Sequence, residues 1–181
     1  DIKCRSSGLW PDAMVLVVTL RALRMHGGVP HQNAGAPNME ALQRGITNLD
    51  AHLSASRDVF GITPIIAINR FGNDPDDEIA WLSAACADRG LRVAAHSGFA
   101  DGGAGAIELA QTVLQRLDEP KTEPRYPYEL DEPLAAKIEA VATKVYGAGS
   151  VVIERNARRA LSRFEKSGHG HLPICMAKTF L

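Results

Sequence analysis

Residues 69–78, with the sequence NRFGNDPDDE, place several chemically distinct side chains within one short junction. The amide of Asn69 can pair with a purine edge through both a donor and an acceptor. Phe71 offers a flat face on which a heterocycle can stack. Asp74 is a good N-cap residue, and Pro75 suits the first position of a helix. The junction is a candidate ligand site, although Asn69 capping a turn and Asp74 capping a helix would explain the same residues without a ligand.

A second candidate is the glycine-rich segment 98–105, GFADGGAG. A loop of this kind between a strand and a helix can present backbone N–H groups to an anion. The glycines lack the GxGxxG spacing and no acidic residue ends a suitable next strand, which disfavours a dinucleotide site. The alternative is a turn that exposes Phe99 above a pocket. The sequence contains no Gly-Lys dipeptide, so this segment lacks the standard P-loop phosphate site.

The remaining candidate metal and redox residues give weaker patterns. His169 and His171 have no acidic partner nearby in the sequence, so we predict no metal site. Cys4, Cys86 and Cys175 are far apart and share no CxxC spacing, which indicates free thiols.

The elements that must position the two junctions alternate between strand and helix patterns. Apolar, β-rich runs predict three strands, and helical spacing of apolar residues predicts the helices that follow them. The order β-α-β-α-β-α predicts parallel strands with right-handed crossovers. The first run is continuous, which is typical of a strand buried on both faces. The predicted strands are residues 13–20, 62–69 and 91–95, and the predicted helices are 38–60, 74–89 and 104–117. Ligands of open α/β sheets bind outside the carboxyl ends of the strands, where both junctions lie.

The C-terminal part of the chain has a different pattern. Residues 118–133 are rich in Glu, Pro, Lys and Tyr and are expected to form an exposed connection. A smaller α/β segment follows, with helices over 134–147 and 154–167 and extended pieces at 150–153 and 171–177. The predicted domains are 1–117, a parallel α/β portion; 118–133, a connection; and 134–181, a smaller segment truncated at its C-terminal end.

Composition narrows the function classes. The 181 residues carry a formal net charge of −1, with 45% hydrophobic and 23% charged residues. This balance gives no electrostatic case for nucleic acid or an anionic membrane. No apolar run approaches the roughly 18 residues that span a bilayer. The chain begins without Met and ends directly after an apolar run, so we expect a piece of a larger protein. The three free thiols fit the reducing cytosol, so we expect a cytoplasmic location.

Five segments in order along nearly the whole chain resemble the formate–tetrahydrofolate ligase (formyltetrahydrofolate synthetase) family. Residues 17–28 resemble its signature VxTxRAL(K/R)MHGG, which is highly specific. The segments are DIKCRSSGLWPDAMVLVVTLRALRMHGG, IIAINRFGND, FADGGAGAIELA, KIEAVATKVYGA and GHLPICMAKT. The resemblance implies an incomplete P-loop NTPase-like architecture and an internal portion of a subunit of several hundred residues.

The resemblance implies an ATP-dependent ligase of one-carbon metabolism. In the family, formate attacks the γ-phosphate of ATP to give formyl phosphate, and the N10 amine of tetrahydrofolate then takes the formyl group. The phosphate loop and the formyl-phosphate residues are expected before Asp1, so the isolated 181-residue chain is expected to be inactive. The resemblance further implies Mg2+ with the ATP, stimulation by potassium or ammonium, a homotetramer and no tightly bound cofactor.

The resemblance assigns the folate pocket to this segment. Two aromatic residues sandwich the pterin in the family, and Phe71 matches the first position. Phe99 matches the second, where Trp is usual, so stacking is expected to be somewhat weaker. Ala95 and His96 would line the same pocket, and the effect of Asp101, where Lys or Glu is common, is open. Asn69 and Asp74 would approach the nucleotide base. Five residues match the signature without an assigned role: Arg21, Arg24, His26, Gly27 and Gly28.

Two other functions stay open at this stage. The chain can be a truncated, non-catalytic homologue that acts as a folate- or nucleotide-binding or scaffold module. It can also be a generic nucleotide-binding α/β domain with no preference for folate. A Gly-rich GxGKT-type loop upstream of Asp1 would favour the enzyme, and a start codon near Asp1 would favour the module.

Overall fold

A parallel sheet forms where the apolar runs were predicted to be strands. The structure, a computed structural model, describes residues 2–176. Within them, strands β1 (Val15–Val18), β2 (Ile65–Asn69) and β3 (Val93–His96) pair in the order β1-β2-β3, all parallel. The flanking helices complete the mixed architecture, which confirms the predicted α/β class.

The five predicted helices are present in the predicted order, with three additions: two short helices before the first predicted helix and one within the glycine-rich segment. In chain order the helices are α1 (Ile2–Ser7), α2 (Leu20–His26), α3 (Met39–Ser54), α4 (Asp76–Ala87), α5 (Gly98–Asp101), α6 (Ile107–Leu117), α7 (Leu134–Ala140) and α8 (Arg155–Phe164). Helices α3, α7 and α8 each continue into a wider π-type turn. None of the helices within residues 2–176 is long and apolar enough to cross a membrane.

The described residues divide into two compact units. The larger unit contains residues 12–57 and 62–122, and therefore the whole sheet with α2 to α6. The smaller unit contains residues 2–11, 58–61 and 123–176, with α1, α7 and α8. The boundary after residue 122 lies within the predicted connection 118–133.

The centre of the larger unit is β2, whose residues Ile66, Ala67 and Ile68 are fully buried. Strand β1 differs from its prediction, because Val15 is 40% and Val17 58% exposed. The reason is the face on which these side chains lie: Leu16 and Val18 pack into the core, and the alternate residues Val15 and Val17 lie on the opposite face of the sheet, which is open at β1. A continuous apolar run therefore marked a strand with one open face.

Helix α2 was not predicted, and it contains most of the signature. It begins after Thr19, whose Oγ1 accepts a hydrogen bond from the Ala22 N–H at 3.1 Å. This contact is the N-cap that starts helices after extended residues. Helix α3, which was predicted, begins in the same way after Asn38, whose Oδ1 accepts from the Ala41 N–H at 2.9 Å.

The smaller unit confirms its two predicted helices and corrects its strands. Residues 150–153 and 171–176 are not strands, and Ala177 lies outside the described residues. In residues 171–176 a side chain takes the place of a neighbouring strand as hydrogen-bond partner: the Ile174 N–H donates to Tyr128 Oη at 2.8 Å. Tyr128 itself is 2% exposed, so the segment predicted to be an exposed connection contributes to a core at this position.

Candidate functional site

The carboxyl ends of β2 and β3 lie side by side. Asn69 and His96 end the two strands and are register partners in the parallel pairing. The Arg70 N–H donates to the His96 carbonyl at 2.9 Å, so the ladder continues one residue beyond Asn69. The residues after both strands, including Phe71 and Phe99, therefore leave the sheet at the same edge.

The turn after β2 is closed by reciprocal hydrogen bonds between Phe71 and Asp74. The Phe71 N–H donates to Asp74 Oδ2 at 3.0 Å, and the Asp74 N–H donates to the Phe71 carbonyl at 2.9 Å. The Phe71 ring is held outside this turn and is 43% exposed. The turn thus fixes the backbone that carries the aromatic ring.

Asp74 does not cap the following helix, which corrects the prediction. The N-cap residue of α4 is Pro75, which makes no side-chain capping bond. The Asp74 carboxylate is already bonded to the Phe71 N–H and is 7% exposed. Glu78 is 1% exposed, so both ends of the acidic run 74–78 are buried. Only Asp76 and Asp77 of this run are exposed to solvent.

Arg24 of α2 reaches these buried carboxylates. Its guanidinium is fully buried and donates from both Nε, at 2.9 Å, and Nη2 to Glu78 Oε2. Its Nη2 lies 3.7 Å from Asp74 Oδ1, and its Nη1 donates to the Ala34 carbonyl at 3.1 Å. The Asn38 N–H donates to Glu78 Oε1 at 2.6 Å. We call Arg24, Asp74, Glu78 and Asn38 the buried ion-pair network.

The two signature glycines have structural explanations. Gly27 packs against α3, where an added Cβ would lie 1.8 Å from the Ala41 carbonyl oxygen. Gly28 has a φ of +98°, a conformation that L side chains rarely adopt. Gly27 therefore permits the close approach of the α3 backbone, and Gly28 permits the turn that follows α2.

The other signature residues lie on the surface of α2. His26 is exposed at the end of the helix, and an Arg21 guanidinium nitrogen lies 3.2 Å from His31 Nε2. Neither residue belongs to the buried ion-pair network.

The glycine-rich loop folds back on the end of β3. The Ser97 N–H donates to the Gly105 carbonyl at 3.1 Å, and Ser97 Oγ donates to Asp101 Oδ2 at 2.5 Å. Gly105 packs so closely that an added Cβ would lie 2.6 Å from Ser97 Oγ. The loop projects Phe99, which is 93% exposed. Ala95 is only half-buried and packs against the core.

The structure brings together most of the residues predicted to bind a ligand. Asn69, Phe71, His96 and Phe99 follow or end neighbouring strands, whereas Asp74 lies below the surface. Within residues 2–176, no group of three or more His, Cys, Asp or Glu side chains is arranged to hold a metal ion.

Sequence reasoning missed Glu78 and Asn38. A signal was present for Glu78, which lies four residues before the buried Leu82 and next to the buried Ile79. A carboxylate at a core-facing helical position requires a buried partner. No comparable pattern marks Asn38, because it contributes its backbone N–H to the network.

Comparison with known proteins gives one consistent family. Residues 1–181 match the family described as formate–tetrahydrofolate ligase. A protein of that name from Methylobacterium radiotolerans is 47% identical over 181 residues, and one from Phocaeicola vulgatus is 42% identical over 180. In both comparisons 99% of this chain and 32% of the relative are covered. The chain thus spans about a third of the length of the curated relatives it matches.

Proposed function

The chain belongs to the formate–tetrahydrofolate ligase family, and from this premise we propose that it forms the folate-binding portion of such an enzyme. The reaction joins formate to tetrahydrofolate and consumes ATP. Formate oxygen attacks the γ-phosphorus and ADP leaves, which gives formyl phosphate. The N10 amine then attacks the formyl carbon, phosphate leaves, and 10-formyltetrahydrofolate is released after loss of the amine proton.

The placement of Phe71 and Phe99 is the observation that carries this proposal. Both rings are exposed, and both follow strands whose last residues are direct register partners. Exposed aromatic rings on neighbouring loops provide stacking faces for a flat heterocycle such as a pterin. Because the two loops are closed by their own hydrogen bonds, the rings are presented by ordered backbone.

The residues at the strand ends are proposed to complete the site. His96 is half-buried at the end of β3 and is proposed, with Ala95, to line the folate pocket. Asn69 is half-buried at the end of β2 and is proposed to approach the nucleotide base through its amide. The direct contact predicted between Asp74 and the base stays a prediction, and its oxygens already face Phe71 and Arg24.

The remaining properties implied by the family concern the full-length enzyme. ATP with Mg2+ is proposed as co-substrate, and formate and tetrahydrofolate as the other substrates. The stimulation by potassium or ammonium, the homotetramer and the cytoplasmic location stay predictions.

A tetrahydrofolate titration of the full-length ligase tests the pocket. Phe71→Ala and Phe99→Ala are each expected to weaken binding about 5- to 100-fold, since stacking of a base on an aromatic ring contributes about 1–3 kcal/mol. Phe99→Trp is expected to tighten it, because an indole offers a larger face. Phe164→Ala removes an exposed phenylalanine of α8 with no assigned role and serves as the control. If a variant binds tetrahydrofolate with the affinity of the parent, the substituted ring does not belong to the pocket.

The isolated 181-residue chain provides a second test. It is expected to make no 10-formyltetrahydrofolate from formate and ATP, because it contains no Gly-Lys phosphate loop. Folate binding without turnover would agree with both the proposed division of the active site and the module interpretation of the isolated chain. Product formation by the isolated chain would contradict the proposed division of the active site.

A further inference from the structure

We propose that Asp74 and Arg24 are positioning residues for folate binding, which act through the backbone of Phe71. The inference rests on the proposed stacking of tetrahydrofolate on Phe71. It gives Asp74 a role different from contact with the nucleotide.

The first link is the turn between Phe71 and Asp74. Two hydrogen bonds, at 3.0 and 2.9 Å, join the backbone of Phe71 to the carboxylate and the backbone N–H of Asp74. The intervening Gly72 and Asn73 are exposed, so they are not held by packing. The orientation of the Phe71 ring therefore depends on where the Asp74 carboxylate is held.

The second link holds that carboxylate. Its Oδ1 lies 3.7 Å from Arg24 Nη2, and the Asp74 side chain is only 5% exposed. Arg24 cannot easily move, because Nε and Nη2 donate to Glu78 and Nη1 donates to the Ala34 carbonyl. A guanidinium with its donors engaged in three directions is a rigid anchor.

The third link fixes Arg24 within the fold. Helix α2 packs on α3 with backbone contact at two glycines: a Cβ on Gly27 or on Gly45 would lie 1.8 Å from a carbonyl oxygen of the facing helix. Glu78 also accepts from the Asn38 N–H at the start of α3. The signature helix, α3 and α4 thus meet at one guanidinium, which lies beneath the turn that carries Phe71.

The charges of the buried ion-pair network explain why Arg24 fixes the position of the Asp74 carboxylate. One cation faces two carboxylates in a buried environment, so each carboxylate depends on the guanidinium and on backbone N–H groups. Arg24→Met would leave two buried carboxylates without their cation, and this variant is expected to fail to fold. The test therefore uses Asp74, whose replacement removes one carboxylate and keeps the Arg24–Glu78 pair.

The experiment compares Asp74→Ala with Asp74→Asn in the full-length ligase. Asp74→Ala removes the acceptor for the Phe71 N–H and is expected to weaken tetrahydrofolate binding about tenfold, as loss of a pre-organised contact does. Asp74→Asn keeps an acceptor oxygen and is expected to stay within about threefold of the parent. The KM for ATP should not change in either variant. Asp118→Ala, which removes an exposed carboxylate at the end of α6, is the control.

A double-substitution cycle with Phe71→Ala decides whether Asp74 acts through the ring. Asp74→Ala should weaken binding in the parent and cause no further loss in the Phe71→Ala variant. Equal losses in both backgrounds would overturn the inference, and so would a raised KM for ATP with unchanged folate affinity. A fall in kcat alone, with both KM values unchanged, would indicate a merely structural role and also overturn it.

The same cycle separates this inference from the function on which it rests. If Phe71→Ala leaves folate affinity unchanged, the stacking role of Phe71 fails and the inference fails with it. If Phe71→Ala weakens binding and Asp74→Ala does not, only the positioning role is refuted.

Discussion

Replacement of Gly27 by alanine is expected to destabilise the larger unit by about 3 kcal/mol. Gly27 ends α2 with φ −80° and ψ 5°, values that any L-residue can adopt, so conformational strain is not the cause. An added Cβ would lie 1.8 Å from the Ala41 carbonyl oxygen, 2.6 Å from its carbonyl carbon and 2.9 Å from its Cα. These atoms are backbone in the first turn of α3, so no side-chain rotation relieves the clash.

The magnitude follows from what must move. Overpacking of a core costs about 1–3 kcal/mol where side chains can adjust, and here two helices must separate. Their separation also lengthens the hydrogen bond of 3.0 Å from Arg44 Nε to the Gly27 carbonyl. We therefore take the upper end of the range. With a urea slope of about 2 kcal/mol per M, the unfolding midpoint should fall by about 1.5 M.

The assay follows Trp81 fluorescence in urea. The sequence contains two tryptophans, and Trp81 packs against the core of the larger unit, so a Trp10→Phe background isolates its signal. Gly35→Ala is the control: Gly35 has no positive φ, and a Cβ there meets no described atom within 4 Å. The control should change stability by less than about 0.5 kcal/mol. A midpoint for Gly27→Ala equal to that of Gly35→Ala would refute the close packing of α2 on α3.

Four further predictions concern three residues outside the site. Burial raises the pKa of Cys86 to about 11, so native Cys86 should resist alkylation near neutral pH while exposed Cys175 reacts; equal labelling by mass spectrometry would contradict this. The pKa of the thiol is near 9.0 in the unfolded chain, so burial of the neutral Cys86 thiol stabilises the fold fully below pH 9. This stabilisation is lost as the pH rises from 9 through about 11. The urea midpoints of the parent and of Cys86→Ala should therefore converge over this pH range. Lys137→Met should destabilise the smaller unit by about 3 kcal/mol, because the Lys137 ammonium donates to three backbone carbonyls; an unchanged thermal midpoint would exclude this role. Arg89→Met should cost about 0.5 kcal/mol through loss of its partly exposed pair with Asp50, and the cost should shrink in about 1 M salt.

The sheet was predictable because its strands are apolar runs separated by helical patterns. The same runs could not reveal that one face of β1 is open, since this depends on which elements cover the sheet and not on the residues of β1. Helix α2 was hidden for a related reason. Its seven residues follow a β-rich run directly, and its start is marked only by Thr19. Periodicity needs a longer window than this helix offers.

The placement of the candidate site's exposed residues could be predicted from residue type, whereas the contacts of its buried residues could not. Phe71 and Phe99 were found as aromatic residues at strand ends, and the structure places them there. Asp74 was predicted to cap a helix because acidic residues before a helix usually do so. In the structure its carboxylate is used by Phe71 and Arg24, a choice set by α2 some fifty positions earlier in the sequence. Only the packing of α2 on α3 makes that partner available.

A comparison of the Phe71 and Phe99 loops shows what the buried ion-pair network contributes at the carboxyl ends of β2 and β3. An exposed aromatic ring buries little apolar surface on folding and so contributes little to the order of its loop. The loop must therefore be ordered by polar hydrogen bonds or by a bound ligand. Both loops place an acid shortly after the strand: Asp74 accepts from the Phe71 N–H, and Asp101 accepts from Ser97 Oγ. Asp74 is buried beside Arg24, whereas Asp101 is exposed. Because a buried charged hydrogen bond is stronger than an exposed one, the fold orders the Phe71 loop more firmly than the Phe99 loop. The proposed binding of folate is therefore expected to order the Phe99 loop more than the Phe71 loop.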